Sequence, residues 1–200
     1  MNALSKPAFK RRRILCLHAA LLLLALSAWS GVSADRPLPP GGDFTLQGKD
    51  GIVSLSGFRG KIVIVYFGYV TCADICPTSM ALIAGALRQL TPEERQRIQG
   101  FFVTVDPERD NAQIVSNYAA QFDSHFTGLT GSLPQIREVA ARYGVQFQKV
   151  PMRSAMGYAV DHSSATYVIN EQGRLVQVLK HGSSSAQILE AVRAGLRSKP

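Results

Sequence analysis

The sequence predicts an α/β fold in which a central mixed sheet is flanked by helices and preceded by an N-terminal β-hairpin. The apolar, β-branched run at residues 62–67 is typical of a strand that is buried on both faces of a sheet. Helix-start signals such as Thr91-Pro92-Glu93-Glu94 alternate with further apolar runs. Near the C-terminal end, two apolar runs flank the turn residues 170–173, as they do in a β-hairpin. This alternation of strands and helices predicts one α/β domain.

The first part of the domain is expected to begin with a hairpin, in which strands at 43–46 and 53–55 surround a turn at 48–51. The strand at 62–67 leads into a helix that starts with two cysteines and runs to about residue 90. A capped helix starts at Thr91. The pattern then predicts a strand at 101–105, a helix at 112–122, a strand at 126–129 and a helix at 133–143, which is capped by Ser132 and ended by Gly144.

The region at 145–160, which contains Pro151 and Gly157, is expected to be a loose hairpin or an irregular excursion. Strands at 165–169 and 174–179 then form a hairpin, and a last helix runs to about residue 196. This order of elements is that of a thioredoxin-like fold with an N-terminal extension. The cysteines follow the first central strand, which is where that fold keeps its active site.

The positive charge of the chain is concentrated at its N-terminal end. Five of the 22 basic residues precede residue 14, and no acidic residue precedes Asp35, so the rest of the chain has a formal charge of only +3 out of +8. Nucleic acid is therefore not expected as a partner. An apolar run at 14–29 follows, and then the small-x-small site Val32-Ser33-Ala34. This pattern predicts a cleaved export signal or an uncleaved membrane anchor.

The chain thus divides into a signal peptide or N-terminal membrane anchor at 1–34, a Pro/Gly-rich linker at 35–42 and the thioredoxin-like domain at 43–200. The positive flank of the apolar run places the domain on the far side of the inner membrane, in the periplasm, whether or not the segment is cleaved.

Cys72 and Cys76 are the residues most indicative of chemistry. A spacing of four residues at the start of a helix puts both thiols on one face, and the helix dipole there favours the thiolate. Such a pair can form a redox disulfide or bind a soft metal. A purely structural disulfide is less expected, because it would close a very small loop and stabilise the fold little.

His162 is a candidate third ligand. It lies in Asp161-His162-Ser163-Ser164, before the strand at 165–169, in a loop that packs against the cysteine helix in a thioredoxin-like fold. Two thiolates and one imidazole form a donor set suited to copper in either oxidation state. Asp161 could orient the imidazole or act as a turn residue.

Four stretches of the domain resemble motifs of the Sco/SenC family of copper chaperones for cytochrome c oxidase. The stretch YFGYVTCADICPTS at 66–79 resembles the family's cysteine motif, and VDPERD at 105–110 resembles its signature after the next strand. GLTG at 128–131 and VDHSS at 160–164 are similar to two further motifs. Their order and spacing make the resemblance specific, and it covers nearly all of the exported domain.

The resemblance implies that Cys72, Cys76 and His162 bind one copper ion, as Cu(I) or Cu(II), with Asp161 and Asp106 as supporting residues. It implies a metallochaperone that delivers copper to the binuclear copper site of cytochrome c oxidase subunit II, or keeps the cysteines of that site reduced. Further expected partners are periplasmic copper carriers, thiol reductants and, if the N-terminal segment is uncleaved, the inner membrane.

A periplasmic thiol-disulfide oxidoreductase that uses Cys72 and Cys76 without delivering metal is the main alternative. Such enzymes typically have C-x-x-C and a proline before the later strand, whereas this chain has C-x-x-x-C and His162. Peroxiredoxin chemistry is not expected, because Ala73 and Tyr69 stand where its threonine and proline are required. A structural zinc site usually has four protein ligands, and this pattern offers three.

Overall fold

The computed structural model describes residues 37–197. The predicted export signal or membrane anchor at 1–34 and the first two residues of the predicted linker lie outside the described residues. Between residues 37 and 197, no helix has both the length and the apolar character needed to cross a bilayer.

The strands of this part of the chain are β1 Thr45–Gly48, β2 Gly51–Ser54, β3 Ile62–Gly68, β4 Ile98–Thr104, β5 Phe126–Leu129, β6 Phe147–Pro151, β7 Tyr158–His162, β8 Thr166–Ile169 and β9 Leu175–Leu179. The helices are α1 Ile75–Leu87, α2 Pro92–Gln96, α3 Ala112–Ala120, α4 Leu133–Arg142 and α5 Ser185–Arg197. A 3₁₀ turn, Leu55–Phe58, lies between β2 and β3.

The central sheet has five strands in the order β5-β4-β3-β8-β9. Strands β3, β4 and β5 are parallel, whereas β8 is antiparallel to both β3 and β9. The predicted mixed sheet is therefore confirmed, with β3 at its centre and every residue of β3 buried. Because β3 and β4 are parallel neighbours, their carboxyl ends meet at one edge of the sheet, which places the loops that follow them side by side.

The predicted N-terminal hairpin is present as β1 and β2. It is attached to the end of β5 by two backbone hydrogen bonds of 2.8 Å, in which Gln47 and Thr130 each donate to the other's carbonyl. Leu46 packs into the core on the inward face. The hairpin therefore covers one edge of the central sheet rather than standing apart from it.

The predicted helix ends are confirmed where the sequence carries capping signals. Thr91 and Glu94 form a reciprocal capping box at the start of α2, and Ser132 and Gln135 form another at the start of α4. Gly144 follows α4 with φ of +69°, a conformation that a side chain would strain.

Two predicted elements differ from the structure. Helix α1 begins at Ile75, so Cys72 lies in the loop before the helix rather than on it. The region at 145–160 is a regular hairpin, in which β6 and β7 pair over five residues from Phe147↔His162 to Pro151↔Tyr158. In β6, Phe147 and Val150 are separated by two polar residues, and in β7 three apolar residues follow one another, so the sequence shows no apolar–polar alternation there. His162 is therefore the last residue of a strand, not part of a loop.

Candidate metal centre

The cysteine segment connects β3 to α1 at the carboxyl edge of the sheet. The chain leaves β3 at Gly68, turns so that the Cys72 amide donates to the Tyr69 carbonyl at 3.2 Å, and enters α1 after Asp74. Cys72 is half-buried in this turn, and Cys76 is completely buried in the first turn of the helix. Both cysteines are free thiols.

The two thiols have opposite electrostatic environments. The hydrogen bond from the Cys76 thiol, together with the backbone amides of Cys76 and Asp74, lowers the pKa of Cys72 to about 4 although burial opposes the shift. The Cys76 amide lies 3.4 Å from the Cys72 sulfur, at the positive end of the helix. The same thiol–thiolate hydrogen bond and burial raise the pKa of Cys76. The expectation that the helix favours both thiolates is therefore wrong for the metal-free pair: Cys72 is the thiolate and Cys76 the thiol.

His162 reaches this pair from the end of β7. Its Nε2 lies 3.3 Å from the Cys76 sulfur, and its Nδ1 lies 3.0 Å from the Ser163 carbonyl oxygen. Because a carbonyl can only accept, this contact places the proton on Nδ1 and leaves the Nε2 lone pair facing the sulfurs. Asp161 is exposed on β7, and the oxygen that lies against Nδ1 of His162 is the Ser163 carbonyl.

The two sulfurs and a ring nitrogen of His162 lie within 4.8 Å of one another. The sequence-predicted site residues are thus brought together, although they come from a loop, a helix and a strand that are far apart in the chain. Two soft sulfur donors and one imidazole suit a soft or borderline ion such as copper. Tyr69 closes one side of the group, with its ring edge-to-face against the His162 ring at 5.7 Å between centroids.

Sequence reasoning gave no role to a buried carboxylate that supports the cysteine loop. Asp110 accepts hydrogen bonds from the Val70 amide at 3.0 Å and from the Thr104 hydroxyl at 2.6 Å. Burial raises the pKa of Asp110, and these hydrogen bonds oppose that shift. Asp110 therefore ties the end of β4 to the segment that precedes Cys72.

A second carboxylate holds the histidine hairpin. Asp106 is buried, pairs with the Arg109 guanidinium and accepts a hydrogen bond of 2.9 Å from the Tyr158 hydroxyl. Arg109 also donates to the Tyr158 carbonyl at 3.0 Å and stacks over the Tyr158 ring at 3.8 Å. The supporting role expected for Asp106 is thus directed at the start of β7, the strand that ends in His162. The only sequence signal for this bracing was the VDPERD motif itself.

Comparison with known proteins identifies the family. The SCO1/SenC family model matches residues 33–197. The chain belongs to the SCO1/SenC family. The mitochondrial SCO2 homolog of Bos taurus is 37% identical over 154 residues, which cover 76% of this chain and 58% of that protein. The chain thus matches less than two thirds of the length of this relative.

Solved structures of the family confirm the thioredoxin-like fold. The apo Sco1 of Thermus thermophilus superposes with a TM-score of 0.71 at 38% identity, covering 78% of this chain and 91% of that one. ScoI of Bradyrhizobium japonicum with copper bound superposes with a TM-score of 0.70 at 31% identity, covering 78% of this chain and 99% of that one.

Proposed function

We propose that this chain is a copper-binding metallochaperone of cytochrome c oxidase assembly, with Cys72, Cys76 and His162 as the copper ligands. The observation that carries the proposal is the convergence of two sulfurs and one imidazole nitrogen within 4.8 Å. Membership of the SCO1/SenC family and the copper-bound ScoI relative support it. The donor set accommodates either Cu(I) or Cu(II).

Each ligand has a separate role in taking up the ion. Cys72 is already a thiolate, so it is the first sulfur that can bind copper. Cys76 must give up its proton as the ion enters, which the positive charge of the ion favours. His162 needs no deprotonation at Nε2, because its ring proton is held on Nδ1 by the Ser163 carbonyl. A disulfide between the cysteines would remove both sulfur ligands, so the pair must be reduced before copper binds.

The proposed acceptor is the binuclear copper site of cytochrome c oxidase subunit II. Half-burial of Cys72 and His162 keeps the ion near the surface, where the ligands of a partner can reach it. The same arrangement supports a second candidate, thiol-disulfide oxidoreductase activity on that site's cysteines. An accessible thiolate, Cys72, beside a buried thiol, Cys76, is the pairing that attacks and then resolves a mixed disulfide.

Export to the periplasm is part of the proposal. Five basic residues followed by the apolar run at 14–29 support it, with the segment either cleaved or retained as an inner-membrane anchor. Alkaline phosphatase fused after residue 42 should be active in cells. Mass spectrometry of the purified protein would show whether residues 1–34 remain, and an inactive fusion would contradict export.

Copper titration of the reduced domain, residues 35–200, under anaerobic conditions tests the binding site. We expect one copper per chain and, with Cu(II), a thiolate-to-copper charge-transfer band that is lost in Cys72→Ser and altered in His162→Ala. The matched control is His181→Ala, which removes an exposed histidine and should change nothing. Equal affinity in His162→Ala, Cys76→Ser and the unmodified domain would contradict the proposed ligand set.

A second experiment separates the two candidate functions. The copper-loaded domain is mixed with the metal-free copper domain of an oxidase subunit II, and the reduced, metal-free domain is mixed with the same acceptor in its disulfide form. A chaperone transfers copper to the acceptor, and the rate of that transfer changes in His162→Ala, because His162 is one of the copper ligands. A reductase reduces the disulfide without any copper, and His162→Ala changes its rate only through the contact of the imidazole with the cysteine pair.

A further inference from the structure

A cavity of about 420 Å³ opens beside one of the three proposed ligands. Of the residues that the structure describes, 146–148, before and within β6, and 161–163, at and just after the end of β7, line it. His162 is one of the lining residues, whereas neither Cys72 nor Cys76 lines the cavity. A molecule that occupied this cavity would therefore meet the metal centre from its histidine side.

The burial of the three proposed ligands also makes the histidine side of the metal centre more accessible than the Cys76 side. Cys76 has no exposed surface, because it lies on the buried side of the first turn of α1 and packs against Gly68. Cys72 and His162 are both half-buried. An incoming ligand can therefore approach the copper beside His162, but it cannot approach from behind Cys76.

The end of the hairpin that forms the cavity is held in place before any partner arrives. The Ser163 amide donates to the Gln146 carbonyl at 2.9 Å, and the Gln146 amide donates to the Ser163 hydroxyl at 3.1 Å. Gln146, Gln148 and Asp161 have exposed side chains that offer amide and carboxylate groups. A preformed, polar cavity of this size suits a short polar protein loop better than an apolar helix.

We infer that this cavity receives the metal-binding loop of the copper acceptor, and that His162 is the first ligand replaced, Cys72 the second and Cys76 the last. The inference rests on the proposed function, and it names the side from which the partner docks. The fitting partner is a protein whose copper ligands, cysteine thiols among them, lie on a polar loop a few residues long.

The exchange balances without an oxidant or reductant. A sulfur of the acceptor forms a bond to Cu(I) as the bond from His162 Nε2 breaks, and the proton of the incoming thiol passes to the released Nε2. A second acceptor thiol then replaces Cys72 and gives it its proton. The bond from Cys76 to copper breaks last, as a further ligand of the acceptor binds, and Cys76 takes the proton held on Nε2, which returns His162 to its neutral form. Copper remains Cu(I) throughout, so no electron is transferred.

The test fills the cavity without touching a ligand. Gln148→Trp places a large side chain in the cavity wall, and Gln177→Trp is the matched control, because Gln177 is also an exposed glutamine in a hairpin strand, β9, outside the cavity. Cu(I) affinity is measured by chelator competition. Transfer to the metal-free copper domain of an oxidase subunit II is measured by stopped-flow absorption. Gln146→Trp provides a second cavity variant if Gln148→Trp folds poorly.

We expect Gln148→Trp to slow transfer at least tenfold while its Cu(I) affinity stays within twofold of the unmodified protein, and Gln177→Trp to leave both values unchanged. Copper-loaded His162→Ala should transfer faster than the unmodified protein, because its first exchange step is already complete. Unchanged transfer in both cavity variants with normal affinity would overturn the docking site, and slower transfer from His162→Ala would overturn the order. Absence of copper binding in the unmodified protein would instead refute the proposed function.

Discussion

Gly68→Ala is expected to disturb the metal centre through packing alone. Gly68 is the last residue of β3 and lies against Cys76. A Cβ atom at this position would be 2.8 Å from the Cys76 sulfur and 3.0 Å from the Phe102 ring. Non-bonded heavy atoms normally approach to about 3.5–4.0 Å, so the sulfur must move by roughly 0.7 Å or β3 must separate from α1.

The quantity that changes depends on whether the Cys76 sulfur moves or β3 separates from α1. Overpacking of a buried site costs about 1–3 kcal/mol. If the sulfur moves, copper affinity should fall about 5- to 150-fold, which corresponds to that cost. A displacement of roughly 0.7 Å exceeds the ~0.5 Å within which a binding constellation must be held. If the backbone separates instead, the same free energy is lost from unfolding.

Both quantities can be measured on one set of samples. Urea denaturation of the metal-free domain gives the free energy of unfolding, and competition with a Cu(I) chelator gives the affinity. The control is Gly57→Ala in the 3₁₀ turn, where no atom lies within 4 Å of the added Cβ. That change should be neutral or stabilise by about 0.4–1 kcal/mol. If Gly68→Ala matched Gly57→Ala in both measurements, the contact between Gly68 and Cys76 would not constrain the site.

Three further predictions follow from particular contacts. Tyr158→Phe removes the 2.9 Å hydrogen bond to the buried Asp106 carboxylate, so it should cost about 1–2 kcal/mol and raise hydrogen exchange in β7. Gly128→Ala places a Cβ in collision with the backbone of Val115 in α3, so it should lower the free energy of unfolding in urea by about 3 kcal/mol or more. In the metal-free domain, iodoacetamide should alkylate Cys72 at a constant rate from about pH 8 to 5, because its pKa is about 4 and the thiolate is lost only below that pH.

Each of these predictions has a matched test. For Tyr158→Phe, unchanged hydrogen exchange in β7 would show that the bond does not brace the hairpin. For Gly128→Ala, Gly57→Ala is again the control. A urea unfolding midpoint equal to that of the unmodified domain would contradict the close approach of α3 to Gly128. For Cys72, the Cys76→Ala variant should shift the alkylation profile towards the ordinary thiol pKa of about 8.5, because it removes the main hydrogen-bond donor. A profile already near 8.5 in the unmodified domain would contradict the thiolate assignment.

Much of the fold could be predicted from local sequence signals. The apolar run that becomes β3, the capping boxes at Thr91 and Ser132 and the glycine after α4 each act within a few residues. Their order along the chain indicated the thioredoxin-like sheet. The hairpin of β6 and β7 was less clear, because the apolar residues of its strands do not alternate with polar ones.

The sequence by itself determined which residues are the candidate metal ligands: two cysteines four residues apart after the central strand and a histidine before a later strand. Only the tertiary structure decided which thiol is the thiolate, which ring nitrogen is offered, and from which side the centre can be reached. Those properties depend on burial and on groups brought close by the fold, such as the hydrogen bond from Cys76 to Cys72 and the Ser163 carbonyl against Nδ1. A pKa or a tautomer is set by the atoms within a few ångströms, and sheet topology, not chain order, places those atoms there.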